Sequence, residues 1–362
     1  MKKIAIIGGL GYVGLKLVEY LRGEDMFITV FARKNLKVLI DERENLEIRS
    51  IESINKTDKF DVVINLAYPT SYSRKNNFKT NKNLVGTIKN LSNPGTIIIH
   101  TSTLAVFGTN LDNPVLKQPI PFRRDVSYTE VKIHIENLLI KSLSTNPLHI
   151  IRLGNVSGAG SSSWLHGIAD RILFRQAFPD ASITAPSNLT YVLNICDFIK
   201  HLIKKDISKQ VLSIHHFAEF SSQKWSLLFE SIGHSLNEAP IYKPFDIRFP
   251  GSLLQELGLL LKPVLPSSVF YRMLSLRVMS SFARKLVDII PARNRLKLKV
   301  FPSEAILSHD TKDIVFASQV QFQHDISSDW IPKYSFEEYL SDIKESLKTA
   351  GYIIYNDGDI IQ

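Results

Sequence analysis

Tyr128 and Lys132 lie four residues apart in Tyr-Thr-Glu-Val-Lys, which opens a stretch at helical spacing to about Leu143. On a helix this separation places both side chains on one face, a turn apart. An ammonium beside a phenol favours the phenolate and draws its pKa toward neutrality. Such a phenol can take a proton from an alcohol while hydride leaves the same carbon, or protonate an alkoxide in the reverse direction. Upstream, Thr101, Ser102 and Thr103 end an apolar run, and the Thr103 hydroxyl could hold the same substrate oxygen. The spacing alone is weak evidence, because Tyr12 and Lys16 repeat it inside a glycine turn. Order and position single out Tyr128: it opens a helix and follows a hydroxyl-rich strand end.

Hydride chemistry needs an acceptor, and the stretch from Met1 to Gly14 has the composition of its cradle. Ile4 to Ile7 is an apolar, β-branched run suited to a strand buried on both faces. Gly8, Gly11 and Gly14 follow at spacings of three, and Leu15 to Leu21 is apolar at helical spacing. Strand, glycine turn and helix form the setting of a dinucleotide fingerprint, in which bare backbone approaches pyrophosphate at a helix N-terminus. The second strand, Phe27 to Phe31, closes on Ala32, Arg33 and Lys34 rather than on a carboxylate. A guanidinium at Arg33 suits a ribose 2′-phosphate, so NADP is expected, with NAD as the alternative.

These groups need a frame. Asp61 to Ala67, Thr96 to His100 and His149 to Leu153 read as further strands, and Asn83 to Leu91 as a helix. The alternation implies an α/β fold with a Rossmann, doubly wound parallel sheet. Gly158 to Ser163 is a boundary, Asn194 to Lys205 a helix, and Val211 to Phe217 a late strand returning to the sheet. The expected division is a dinucleotide-binding domain of residues 1–155 plus about 190–218. A smaller C-terminal α/β substrate domain takes 156–189 plus about 219–362. Phe336 to Ala350 reads as an amphipathic helix.

The 362 residues are 44% hydrophobic and 22% charged, ordinary for a soluble globular chain. The single cysteine, Cys196, excludes an internal disulfide and argues against a cysteine metal site, so no metal is expected. The net charge of +9 concentrates in residues 250–300, where basic residues alternate with apolar ones. That composition suits peripheral contact with an anionic membrane, or a basic face that meets an anionic substrate. A nucleic-acid role is not supported, because no reading motif occurs and aromatics do not interleave with the charges. A cytoplasmic protein is expected, with 250–300 able to meet the inner face of the membrane.

Taken in order, Gly8-Gly9-Leu10-Gly11-Tyr12-Val13-Gly14, Asn65-Leu66-Ala67, Asn83-Leu84-Val85-Gly86-Thr87, Thr103 through Gly108, Tyr128 through Lys132 and Arg152 through Asn155 resemble the extended short-chain dehydrogenases/reductases. Within these the chain looks like the NAD-dependent epimerase/dehydratase group that includes UDP-galactose 4-epimerase. The resemblance covers roughly residues 1–200. It implies a catalytic set of Thr103, Tyr128 and Lys132, with Lys132 also on the nicotinamide ribose. It implies cofactor contacts at Gly8, Leu10, Gly11, Tyr12, Val13, Gly14, Leu66, Ala67 and Asn83. Asn155 would lie near a substrate diphosphate, and a homodimer would form through the helix of the Tyr/Lys pair and its neighbour.

There are departures from that pattern. Tyr68 stands where a small residue usually follows Asn/His-Leu-Ala, and Phe107 replaces a tyrosine. Leu104 and Ala105 stand where the sugar 4,6-dehydratases carry an Asp-Glu pair, which counts against dehydration. The resulting expectation is an NAD(P)-dependent reductase or epimerase of a nucleotide-activated sugar, in surface polysaccharide or deoxysugar synthesis. Arg152 and Asn155 are candidate ligands of the diphosphate. The alternatives are a membrane-associated dehydrogenase of a steroid or lipid alcohol, and a catalytically idle dinucleotide-binding scaffold.

Overall fold

The computed structural model describes residues 1–32, 45–55, 57–69, 74–107, 127–205, 212–244, 321–326 and 329–352. Its main sheet holds β1 (Lys2–Ile7), β2 (Met26–Ala32), β3 (Leu46–Ser50), β4 (Val62–Asn65), β5 (Ile97–Thr103), β6 (Leu148–Leu153) and, after three short strands, β10 (Leu212–Phe217). The order is β10-β6-β5-β4-β1-β2-β3, and every neighbouring pair is parallel. All carboxyl ends therefore share one edge. The order reverses between β1 and β4, which opens a crevice where such sheets bind ligands.

Alternation along the strands builds two cores. Ile4 and Ile6 of β1 join Leu17, Val18 and Leu21 of α1 (Tyr12–Leu21) and Ile195, Phe198 and Leu202 of α5 (Val192–Lys204) on one face. Ala5 and Ile7 join Leu84, Val85 and Ile88 of α2 (Arg74–Leu91) and Ile135 and Leu139 of α3 (Ser127–Ser142) on the other. Burial on both faces is why β1 reads as an unbroken apolar run.

The late strand Val211 to Phe217 does return to the sheet, as β10 beside β6. Two features differ from the sequence reading. Helix α2 begins at Arg74, well before Asn83. Strand β3 was not anticipated: it lies at the sheet edge and buries only Leu46. Its alternate residues are charged, with Thr29 donating to Glu47 at 2.8 Å and Arg49 to Asp58 at 2.8 Å.

Beyond β6 the elements shorten. β7 (Asn155–Ser157) pairs with β9 (Leu189–Tyr191), and β8 (Phe178–Pro179) with β11 (Tyr242–Lys243). Helices α4 (Gly167–Leu173) and α6 (Trp225–Ser235) pack nearby. Helix α7 (Phe336–Thr349) starts at a capping box between Ser335 and Glu338, and buries Phe336, Tyr339, Ile343 and Leu347 in the first core. From α7, Asp342 accepts a hydrogen bond from Ala159 N and Ser346 one from Gly160 N, both at 2.9 Å, while the Tyr339 hydroxyl donates to Ser157 at 2.9 Å. Asp197 accepts from Tyr20 at 2.6 Å and from Trp330 at 2.8 Å, so it orients neighbouring elements rather than facing a substrate. Residues 250–300 lie outside the described residues.

Candidate active site

The glycine turn joins β1 to α1. Gly8 has φ +83°, and a Cβ there would stand 2.8 Å from Ala67 N. Gly14 lies against Gly9 backbone, where a Cβ would meet the Gly9 Cα at 2.5 Å. Side chains are thus excluded twice, and the turn folds back on itself through Gly11 N to Gly8 O at 3.0 Å. Gly11 caps α1 without a side-chain hydrogen bond, and the first turn carries no acidic residue. Its N–H groups and partial positive charge are not neutralised by the helix's own residues. Leu66 N donates to Ile7 O at 2.9 Å, and Ala67 N to Asn65 Oδ1 at 3.1 Å, so Leu66 and Ala67 border the same crevice. These groups suit a dinucleotide phosphate.

Tyr12 opens α1. Its side chain packs into the first core with its hydroxyl buried, and a Cβ on Gly158 would stand 3.2 Å from that oxygen. Leu10 and Val13 also pack against this core. Arg33, on which the NADP expectation rests, lies outside the described residues.

Across the crevice, β5 ends at Thr103 and α3 brings up Tyr128 and Lys132. The Tyr128 hydroxyl is hydrogen-bonded to Thr103. Lys132 is 7% exposed and donates to Thr101 O at 3.1 Å. Tyr68, on the loop after β4, touches both: its ring meets that of Tyr128 at a centroid distance of 5.1 Å and 63°, and Lys132 Nζ lies 5.1 Å from its centroid. The sequence brought Tyr68 to notice only as a bulky residue in a small residue's place.

The expected acidification of Tyr128 by Lys132 is not observed. Burial raises the Tyr128 phenol, and the Thr103 hydroxyl acts in the other direction. The lysine points its ammonium at a carbonyl and a ring instead. Burial draws Lys132 itself down to about 8, against the attraction of Glu136 one turn on.

Glu136 lies in a second, fully internal layer. It accepts from Ser102, and from Arg152 through Nη2 at 2.8 Å and Nε at 3.3 Å. Arg152 is 0% exposed and lies over the Phe107 ring at 5.4 Å. Arg152 is therefore a structural partner of the α3 helix, which corrects its reading as a diphosphate ligand. His100 is also internal: Asn65 Nδ2 bonds to its Nδ1 at 2.9 Å, and burial pushes it down to about 3.

Two asparagines complete the comparison with expectation. Asn83 is exposed on α2. Helical periodicity instead buries Asn81, which donates to Val131 O of α3 at 2.8 Å. Asn155 is half-buried and donates to Ser187 O at 2.7 Å. His134 is turned away from Tyr128 and stacks on Phe78 at 4.1 Å. Among the described residues, no group of three or more His, Cys, Asp or Glu could hold a metal ion. No described helix is long and apolar enough to cross a membrane.

The sheet order and the glycine turn define a Rossmann-type, dinucleotide-binding α/β protein. A sequence profile described as the NAD dependent epimerase/dehydratase family matches residues 4–211, more than half of the chain, and the chain belongs to that family. It is accordingly an enzyme of the extended short-chain dehydrogenase/reductase type. Comparison with curated protein sequences gives no match.

Solved structures share the fold. A dTDP-glucose 4,6-dehydratase from Bacillus anthracis, in complex with NAD, is 15% identical with a TM-score of 0.60, covering 97% of this chain and 98% of its own. The Bordetella bronchiseptica enzyme WbmH, in complex with NAD+, is 16% identical with a TM-score of 0.55, over 68% of this chain and 86% of its own. A UDP-glucose 4-epimerase from Thermotoga maritima, with UDP-glucose, is 17% identical with a TM-score of 0.52, over 68% of this chain and 87% of its own.

Proposed function

We propose that the protein is a nicotinamide-dependent reductase or epimerase acting on a hydroxyl or keto carbon of a nucleotide-activated sugar. The observation that carries this reading is the Tyr128 hydroxyl bonded to Thr103, with Lys132 beside it, on the same sheet edge as the glycine turn. The fold likeness to enzymes solved with UDP-glucose or with UDP-glucuronic acid and NAD supports the substrate class. Gly8, Gly11, Gly14 and the first turn of α1 would hold the cofactor phosphates, with Leu66 and Ala67 alongside. When bound, the cofactor supplies the position that gives or accepts hydride.

The chain's own residues handle the proton. Burial raises the Tyr128 phenol, and Tyr128 would give a proton to an alkoxide in reduction or take one from an alcohol in the reverse direction. Thr103 holds the same oxygen by hydrogen bond. Lys132 has donors beyond the one given to Thr101 O and would bind ribose hydroxyls.

Arg33 in place of a carboxylate supports NADP. A division into 1–155 plus about 190–218 and 156–189 plus about 219–362 would set the sugar nucleotide between the two parts. Asn155 is the candidate for its diphosphate, and dimerisation would use α2 and α3. The protein would be cytoplasmic, making surface polysaccharide or a deoxysugar, with basic segment 250–300 at an anionic substrate or the membrane surface.

The experiment is nicotinamide absorbance with a panel of UDP- and dTDP-sugars, paired with mass spectrometry of ligands that co-purify. Conversion of at least one sugar nucleotide, lost in Tyr128→Phe, is expected. Undiminished turnover in that variant overturns the reading. The composition of 250–300 favours one other reading, a dehydrogenase of a lipid alcohol, for which flotation with anionic vesicles is the discriminating assay.

A further inference from the structure

Among the described residues at this edge, Tyr68 touches both Tyr128 and Lys132 without belonging to the Thr/Tyr/Lys set. It is half-buried on the loop that leaves β4, directly after Leu66 and Ala67. The ammonium of Lys132 lies 5.1 Å from the centre of its ring, inside the range in which a cation is attracted to an aromatic face. The Tyr128 ring meets it at 63° with centroids 5.1 Å apart, an edge-type contact.

The other described groups near the lysine offer it little. Thr101 O accepts one hydrogen bond. Glu136, on the same helix, attracts Lys132, but its carboxylate is already bound by Arg152 and Ser102. His100, from β5, is held neutral by burial, and protonating it would repel the ammonium. Tyr128, from α3's first turn, is an uncharged phenol bonded to Thr103. A charge removed from water to this degree needs compensation, and among the described residues the Tyr68 ring supplies an aromatic face to it.

We propose that Tyr68 is a positioning residue of this site: its ring face carries the Lys132 ammonium, and its contact with Tyr128 fixes the phenol beside Thr103. The proposal rests on the reading of Tyr128 and Lys132 as the proton-handling pair. The ring face, not the hydroxyl, does the holding, so phenylalanine substitutes for tyrosine and an aliphatic residue of similar bulk does not.

The test is the titration of Lys132 itself, followed by NMR of the 15N-labelled lysine Nζ in the full chain and assigned with Lys132→Met. Burial draws Lys132 down to about 8, and a midpoint there is the expected wild-type result. Tyr68→Leu keeps apolar bulk but loses the ring, and the midpoint drops by about one pH unit. Tyr68→Phe keeps the wild-type midpoint. In the Leu variant, the alkaline limb of the pH–rate profile moves down by the same amount. An unshifted midpoint in Tyr68→Leu overturns the proposal, and so does an equal shift in Tyr68→Phe. If Tyr68→Leu fails to fold by circular dichroism, Tyr68→Met supplies the same comparison. The NMR titration requires no turnover. A shifted Lys132 in a protein that reduces or oxidises no sugar nucleotide would support the role of Tyr68 and overturn the proposed function.

Discussion

The chain has two Tyr-x-x-x-Lys pairs, Tyr12/Lys16 and Tyr128/Lys132, each at the start of a helix near the carboxyl ends of the sheet strands. Their local sequences offer the same geometry, yet the fold treats them oppositely. Tyr12 turns its ring into the first core, and its hydroxyl is buried beneath the Gly158 loop. Tyr128 meets the hydroxyl of Thr103 at the end of β5, and Lys132 is buried against Thr101 O and Tyr68. Spacing on a helix therefore aligns two groups but does not give them chemistry. The neighbouring strand ends do that, by supplying a hydroxyl and a ring at one pair and a packed core at the other.

Substitutions can break this comparison at several points. The largest effect is expected from Tyr128→Phe, which lowers kcat by about 10²–10⁴-fold with little change in melting temperature, read by nicotinamide absorbance and calorimetry. Next is Glu136→Leu, which leaves the Arg152 charge internal without its carboxylate. It costs about 3–5 kcal/mol of stability in urea titration. A smaller change is the response of stability to pH. Burial draws Lys132 down to about 8 in the fold, from 10.5 for an ordinary lysine. The folded form binds fewer protons between those values, so stability rises with pH across that window. Below it the lysine costs up to about 3 kcal/mol. Lys132→Met flattens the slope in urea melts taken from neutral pH to 10.5.

Two weaker effects sharpen the contrast on the other side. Gly14→Ala forces a methyl onto Gly9 backbone and destabilises by about 1–3 kcal/mol, with weaker retention of bound dinucleotide in equilibrium dialysis. Tyr12→Phe removes a hydroxyl enclosed in packing and changes kcat by less than about threefold. A loss comparable to that of Tyr128→Phe would mean that the two pairs are not distinguished in the way their surroundings imply.

Much of this was legible because it is local. The glycine turn follows from Gly8, Gly11 and Gly14 against an apolar strand, and the sheet class from alternating strand and helix patterns. What escaped the sequence depends on contacts between distant segments. Arg152 reads as a ligand until Glu136, on a helix that precedes it, proves to hold it. Asn83 stands in a family motif, but the phase of α2, which begins at Arg74, turns Asn81 inward instead. Tyr68 looked like a mere departure from a pattern, since no spacing rule joins a loop after β4 to a helix beginning at residue 127. Strand β3 has too few apolar residues to announce itself and owes its place to pairing with β2.

The bonds from α7 to residues 157–160 bear on how the polypeptide is completed during synthesis. By the time Phe217 has left the ribosome, every described strand of the main sheet has been made. Asp342 and Ser346 have not, so the backbone amides of Ala159 and Gly160 wait for partners made nearly two hundred residues later. A translation product stopped between those points would own the described strands of that sheet while the loop over Tyr12 stayed untied, which couples the finishing of the glycine-turn end to the arrival of a remote helix.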